Sequence, residues 1–249
     1  MSAEKEFFIG WEESVSEPVR RSLVGRAVAL TLLGLLVAGL AAGFQATPGQ
    51  GRFAFGSVKS YSGILLSEPV PMLVADQAIE GRTILLLVNQ LKNGVEVADV
   101  VPYHLKRVSV SGALIHDDRG AMIELVPGGI ESLNEGGSID VPSLSEGEPV
   151  ILSGEIVDSK CYLGVMNPGR LKPHRACAIQ CIKGGIPPIL VAQSVEGDVA
   201  HYVILGAEGE ALNEQILEYV AEPIELSGRL KQLGDRLIVF TDPDSIRRR

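Results

Sequence analysis

Val110-Ser111-Gly112-Ala113-Leu114 and Leu226-Ser227-Gly228-Arg229-Leu230 read as one β-strand written twice, 116 positions apart. Tyr103 matches Tyr219 and Ile130 matches Ile246 at the same offset, and Pro71-Met72-Leu73-Val74 matches Pro188-Ile189-Leu190-Val191 at 117. Upstream, Tyr61-Ser62-Gly63-Ile64 matches Leu152-Ser153-Gly154-Glu155-Ile156 at only 91. Anchors in a fixed order with a nearly constant offset mark an internal duplication. The step from 91 to 117 puts an extra block of about 26 residues into the second copy, between Gly154 and Pro188. That block holds Cys161, Cys177 and Cys181, all the cysteines of the chain.

The repeat reads as β. In the first copy the runs Ser57 to Leu66, Met72 to Ala75, Arg82 to Val88, Lys106 to His116 and Ala121 to Val126 are aliphatic or β-branched and end at turn residues. Asp117-Asp118-Arg119-Gly120 joins the last two as a hairpin loop. The second copy gives Val150 to Val157, Ile189 to Gln193, His201 to Leu205, Ile224 to Leu230 and Leu237 to Phe240. Before its fourth strand, Asn213 to Tyr219 has the spacing of one or two helical turns, with Ile216, Leu217 and Val220 facing inward. Four to five short strands and one short helix per repeat predict a small closed barrel of the OB type, with an open sandwich as the competing architecture.

At the N-terminus, Ala27 to Phe44 is an eighteen-residue run without a charge, close to the lower length for crossing a bilayer. The segment before it is long and carries Glu4, Glu6, Glu12, Glu13 and Glu17, unlike the short basic start of a signal peptide. The expectation is an uncleaved anchor. Arg20, Arg21 and Arg26 lie just before it and no such cluster follows, which orients the N-terminus to the cytoplasm. The expected organisation is a cytoplasmic segment 1–26, a transmembrane helix 27–44, a linker 45–52, a first β domain 53–133, a linker 134–148 and a second β domain 149–249 with the insertion 158–187. Gly39 and Gly43, beside Ala38 and Ala42, suit close approach of a second helix. Phe7-Phe8-Ile9-Gly10-Trp11 is an apolar cluster suited to the membrane surface or a partner.

Composition narrows the function classes. With 249 residues, 46% apolar content and 21% charge, the chain can bury one or two cores. A net charge of −9 and only 5% aromatic residues argue against a nucleic-acid surface, which needs a basic stripe or a stacking platform. The sequence contains no nucleophile elbow, phosphate loop or dinucleotide fingerprint, so the expectation leans away from an enzyme.

The insertion carries the chemistry. Pro173 and Gly184 bracket a helix of about three turns, Pro173 as its first residue and Gly184 as a left-handed terminator, with Lys183 in the last turn. On that helix His174, Cys177 and Cys181 stand at i, i+3 and i+7, on one face. Cys161 would reach them through a loop bearing Gly164, Pro168 and Gly169. Three thiols and an imidazole fit a tetrahedral zinc site of Cys161, His174, Cys177 and Cys181, with Cu(I) as the alternative metal and Met166 as an added thioether. Two other readings stand beside it. One is a disulfide, Cys161 to Cys177 or Cys181, or Cys177 to Cys181, with one thiol spare. The other is a redox thiol in the positive field of Arg175. Asp158 reads as a turn residue at the sheet edge or as a group that orients a ligand. His104, His116 and His201 read as surface or core-edge residues, and the Arg247 to Arg249 tail as solvated.

The stretch Gly154 to Leu190, with Gly-Glu-Ile-Val-Asp-x-x-Cys, a Pro-Gly, and His-Arg-Ala-Cys-Ala-x-x-Cys-Ile-x-Gly-Gly-Ile-Pro-Pro, resembles a group of small secreted or periplasmic bacterial proteins of undefined activity. The similarity covers about residues 150–246. It implies an OB-like domain outside the cytoplasm, and the added span and first repeat imply adaptation to a membrane assembly. The expected role is a non-catalytic accessory or assembly subunit of a complex in the bacterial inner membrane, of a respiratory or electron-transfer kind, partnered through the span and the β domains. A metal-binding or metal-delivery protein and a thiol-redox protein are the alternatives.

Overall fold

A computed structural model describes residues 15–44, 51–133, 140–193 and 199–249. The Phe7 to Trp11 cluster, Glu4, Glu6, Glu12 and Glu13, and the parts of the two expected linkers at 45–50 and 134–139 lie outside the described residues.

Among its described residues the N-terminal unit has one helix, α1 (Glu17–Phe44), long and apolar enough to cross a membrane and burying none of its residues. It starts ten residues before the expected span. In its first, exposed turn Glu17 accepts from Arg20 Nε at 2.9 Å and Arg21 Nε at 2.9 Å.

The remainder is a mostly β unit of two closed five-stranded barrels in tandem. The first is built from β2 (Lys59–Leu66), β3 (Met72–Ile79), β4 (Arg82–Val88), β5 (Arg107–His116) and β6 (Ala121–Ser132), with a two-residue strand β1 (Arg52–Phe53) added outside β5. The short helix expected in each repeat, not located in the first copy from sequence, is α2 (Val97–Val100), which runs into a 3-10 turn, Val101–Tyr103, before β5. The second contains β7 (Glu148–Asp158), the insertion with its helix α3 (Leu171–Lys183), β8 (Pro188–Gln193), β9 (Val199–Gly206), β10 (Pro223–Leu233) and β11 (Arg236–Thr241). In both, the first three strands form an antiparallel meander, the third pairs in parallel with the fifth, and the fourth closes onto the first.

The duplication holds at single-residue register. Gly63 pairs with Ala75 as Gly154 pairs with Ala192. A Cβ at Gly63 would lie 2.1 Å from Val74 O, and one at Gly154 would lie 2.2 Å from Val191 O. Each barrel therefore needs a residue without a side chain at the same crossing, where the backbones of the first and second strands touch. Pairing of Val108 with Ser132 and Ser109 with Glu131 recurs as Ile224 with Arg248 and Glu225 with Arg247, through the short strand β12 (Arg247–Arg248). The basic tail is thus paired chain, not merely solvated. Its order is helped by Arg248 over the Tyr219 ring at 5.3 Å.

Strands β3, β4, β8, β9 and β11 are apolar on both faces, and the structure gives the reason. Leu73, Ala75, Leu85 and Leu87 fill the first barrel, and Leu190, Ala192, Tyr202, Ile204 and Val239 fill the second. The alternate residues Met72, Val74, Ile84, Leu86 and Val88 meet Ile189, Val191, Val203, Leu205, Ile238 and Phe240 in a third core between the barrels. Period-2 alternation disappears from a strand buried on both sides. The described part of the expected second linker joins this core: Val141 and Leu144 pack on it and Leu144 bridges Leu233.

Polar groups fix the register of the two barrels. At the β10–β11 turn, Asp235 accepts from Thr83 N at 2.7 Å and Ile84 N at 3.2 Å. Beside it the buried Arg236 donates to Ile84 O at 2.9 Å and Ala121 O at 3.3 Å, and burial pulls its guanidinium pKa down to about 10. Asp117 caps its own hairpin loop, accepting from Arg119 N and Gly120 N at 2.8 Å. His201 is buried against that loop and Tyr162, and so is neither a surface nor a core-edge residue. Burial, then the neighbouring Arg236, lowers its pKa to about 4.

Candidate metal centre

The insertion starts where β7 ends. Asp158, fully buried, turns the chain by accepting from Cys161 N at 2.8 Å. A wide helical turn, Cys161–Val165, follows and closes with Met166 N on Cys161 O at 3.2 Å. The chain then passes Gly169, packed on the Cys161 backbone, and enters α3. The helix begins two residues before Pro173 and ends at Lys183 with Gly184 as its cap, as expected, but the left-handed residue is the next one: Gly184 has φ −75°, while Gly185 takes the value of 90°. One side of α3, through Ala178 and Ile182, packs into the core of the second barrel. The other presents Cys177 and Cys181 to the core between the barrels, which Cys161 and Leu163 also join.

The Sγ atoms of Cys161, Cys177 and Cys181 all lie within 4.8 Å of one another, and all three are free thiols. Tetrahedral zinc with Zn–S bonds of about 2.3 Å sets sulfurs about 3.8 Å apart, so small side-chain rotations close this set on an ion. Cys161 and Cys181 are buried, at 4% and 2% exposure, whereas Cys177 is part-exposed. A hydrogen bond to Cys181, burial and the Asp158 carboxylate push the Cys161 thiol well above its usual range. The same bond from Cys161, with help from Lys92, draws Cys181 down.

His174 falls in a second group, with Asp158 and Cys161. Its Nε2 meets Asp158 Oδ2 at 2.9 Å, both side chains buried. A carboxylate on one ring nitrogen is how proteins orient a ligating histidine and leave its other nitrogen available. Among the described residues, then, the expected four-residue set divides into three sulfurs and a His–Asp pair that share Cys161. Met166 is 48% exposed, which leaves the cysteines as the sulfur donors of the buried cluster. Asp158 is a buried turn residue at the end of β7, and its two oxygens hold the Cys161 backbone and the His174 ring.

Two lysines went unrecognised in the sequence. Lys92, in the loop after β4 of the first barrel, donates to Cys177 Sγ at 2.8 Å and Cys181 Sγ at 3.6 Å. Its bond to Cys177 raises its pKa against the effect of burial. Lys160, 2% exposed, crosses the other way: it donates to Asn89 O at 2.9 Å and Leu91 O at 2.6 Å and pairs with Glu124. Backbone contact completes the fit, with Gly94 N on Gly184 O at 2.7 Å and Gly184 packed against Lys92 O. Nothing local to Lys92 marks it, because its role comes from the neighbouring barrel. The site is therefore assembled from both repeats, thiols from one and a cation from the other. No protein-family model, curated protein or solved structure matches the chain.

Proposed function

We propose that the chain is a membrane-anchored accessory subunit whose two OB-like barrels, outside the cytoplasm, are locked together at a zinc site of Cys161, Cys177 and Cys181. The observation that carries this reading is the cluster of three free sulfurs within 4.8 Å at the junction of the barrels. Soft thiolates at this separation suit Zn(II) and also Cu(I). Three sulfurs leave the fourth position of a tetrahedral ion to another donor. Lys92 offsets part of the thiolate charge, and the Asp158–His174 pair braces Cys161.

The accessory role is supported by the anchor-length helix, which buries none of its residues in the described fold and carries Gly39 and Gly43 four apart. The strand order, a meander whose third strand meets the fifth in parallel, supports the OB assignment. The Arg20, Arg21 and Arg26 cluster supports an N-terminus on the cytoplasmic side of the bacterial inner membrane. Partner subunits of an electron-transfer complex would bind through the helix and the outer barrel faces.

The test is metal analysis of the full-length protein, purified in mild detergent with its thiols reduced. One zinc per chain is expected, retained in His174→Ala and lost in Cys177→Ser and Cys181→Ser. Metal-free protein that takes up neither zinc nor copper would refute the site, and a chain that never co-purifies with a membrane partner would refute the accessory role.

A further inference from the structure

We propose that Cys177 is the oxidant-reactive thiol of the cluster and that Cys161 resolves it, so that a hydroperoxide turns the metal-binding form into a Cys161–Cys177 disulfide and releases the ion. The inference rests on the metal site proposed above and adds its regulation.

Three observations select Cys177. It is the part-exposed member of the cluster, while Cys161 and Cys181 are buried, so an oxidant from solvent meets its sulfur first. The Lys92 ammonium donates to that sulfur at 2.8 Å, so a cation stands beside the oxygen charge that develops as the peroxide bond breaks. A second sulfur lies within reach, the arrangement found where an oxidised cysteine is resolved as a disulfide.

Geometry then selects the resolving partner. Cys177 and Cys181 share α3 one turn apart, where Cβ atoms are about 5–6 Å apart. A disulfide needs Cβ atoms about 3.5–4.5 Å apart, so that pair would have to unwind the helix. Cys161 stands on a separate element, the wide turn after β7, and approaches Cys177 without that cost. Cα spacing alone, which admits a Cys177–Cys181 bridge, is the weaker criterion.

The chemistry balances with the hydroperoxide as sole oxidant. The Cys177 sulfur attacks one peroxide oxygen, the O–O bond breaks, and the departing hydroxide takes a proton to leave as water. This gives the sulfenic acid. The Cys161 thiolate then attacks the Cys177 sulfur, the S–S bond forms as the S–O bond breaks, and the hydroxide leaves as a second water with a proton from solvent. Two thiolates lose two electrons and one peroxide gains them, with zinc remaining Zn(II). The remaining sulfur, on Cys181, cannot hold the ion alone.

The experiment titrates the zinc-loaded full-length protein in detergent with hydrogen peroxide. Free zinc is followed with a chromogenic chelator, and disulfides are mapped by mass spectrometry of unreduced peptides. One zinc released per peroxide, a Cys161–Cys177 linked peptide and recovery with dithiothreitol are expected. Cys161→Ser should stop at a Cys177 sulfenic acid trapped by dimedone, and Lys92→Met should slow release by at least about tenfold. Zinc retained under peroxide, a bridge that includes Cys181, or first oxidation elsewhere overturns the inference. Protein that carries no zinc at the outset fails the metal reading instead, and the same peptide map of the metal-free protein still decides which thiols react. Wild-type mapping also decides the matter if a variant does not fold.

Discussion

Replacing Lys160 with Met removes one side chain and uncouples the two barrels. The ammonium is 2% exposed and satisfies three groups of the other repeat: Asn89 O, Leu91 O and the Glu124 carboxylate, whose side chain is 11% exposed. Breaking a buried ion pair from one side costs about 3–5 kcal/mol because the remaining charge stays uncompensated. That is a large part of the roughly 5–15 kcal/mol that holds a domain folded. The double variant Lys160→Met with Glu124→Leu removes the orphaned charge as well, leaving the two carbonyls to lose about 1 kcal/mol each. The single change should therefore cost about 4 kcal/mol and the double about 2 kcal/mol, so that removing Glu124 as well recovers about 2 kcal/mol. Urea unfolding in detergent, followed by far-ultraviolet circular dichroism, reads both values without adding screening ions. Equal midpoints for wild type and the single variant, or a double variant no better than the single, would refute the argument that this ion pair joins the barrels.

The duplicated strand crossing gives a paired prediction: Gly63→Ala and Gly154→Ala should each destabilise by about 3 kcal/mol, the upper part of the overpacking range, since the new Cβ meets a backbone oxygen at 2.1 and 2.2 Å. A shift below about 1 kcal/mol for either, by the same urea assay, would contradict the backbone contact. Stability should also fall in acid through His201. Its folded pKa of about 4 lies below the value of about 6.5 for an unfolded chain, so between these limits the unfolded chain takes a proton that the folded one refuses. The stabilisation is complete above about pH 6.5 and is lost toward pH 4, by about 3 kcal/mol in all. The groups facing this ring are Tyr162, Arg119, Arg82 and Arg236. His201→Gln should flatten that window, and an unchanged pH slope in the variant would assign the effect elsewhere.

The strand ladder was legible because each barrel obeys local rules. Arg82 to Val88 matches β4 at both ends, and the Ser-Gly pairs marked the crossings that only glycine permits. Strands β3 and β6 run four and six residues beyond their apolar cores, because pairing with β4 and β5 carries polar residues along. Asn213 to Tyr219 forms turns and a 3-10 segment, Leu217–Tyr219, and not a regular helix, yet Ile216 and Val220 are fully buried as their spacing required. Within the insertion, the helical spacing of Cys177 and Cys181 put them on one face. The separation of His174 from two of the sulfurs was not legible, since it follows from Asp158, sixteen residues earlier, claiming the ring. Lys92 owes its surroundings to the opposite repeat, and His201 owes it Arg82, Arg119 and Gly120, so pattern within one repeat carries no trace of these contacts.

That division has a physical origin in how a duplicated barrel can diverge. The interiors of the two barrels are filled by apolar side chains in matching register, so neither interior has room for new chemistry without losing its packing. The outer faces of β3 and β4 and of β8, β9 and β11 are apolar too, and would be exposed if either repeat stood alone. Joining them buries both, but apolar contact is non-directional and leaves the relative orientation of the barrels undetermined. Direction comes from the buried polar groups at the junction: Asp235 and Arg236 on the β4 backbone, Lys160 on the 89–91 carbonyls and Glu124, and Lys92 on the thiols. Each is costly to leave unpaired, so each penalises any other docking angle. The insertion supplies Lys160 and the three sulfurs to this set. An ion bound there would hold α3 against the wide turn beneath the loop that carries Lys92, and loss of that ion by oxidation would loosen the barrels at the point where their orientation is set.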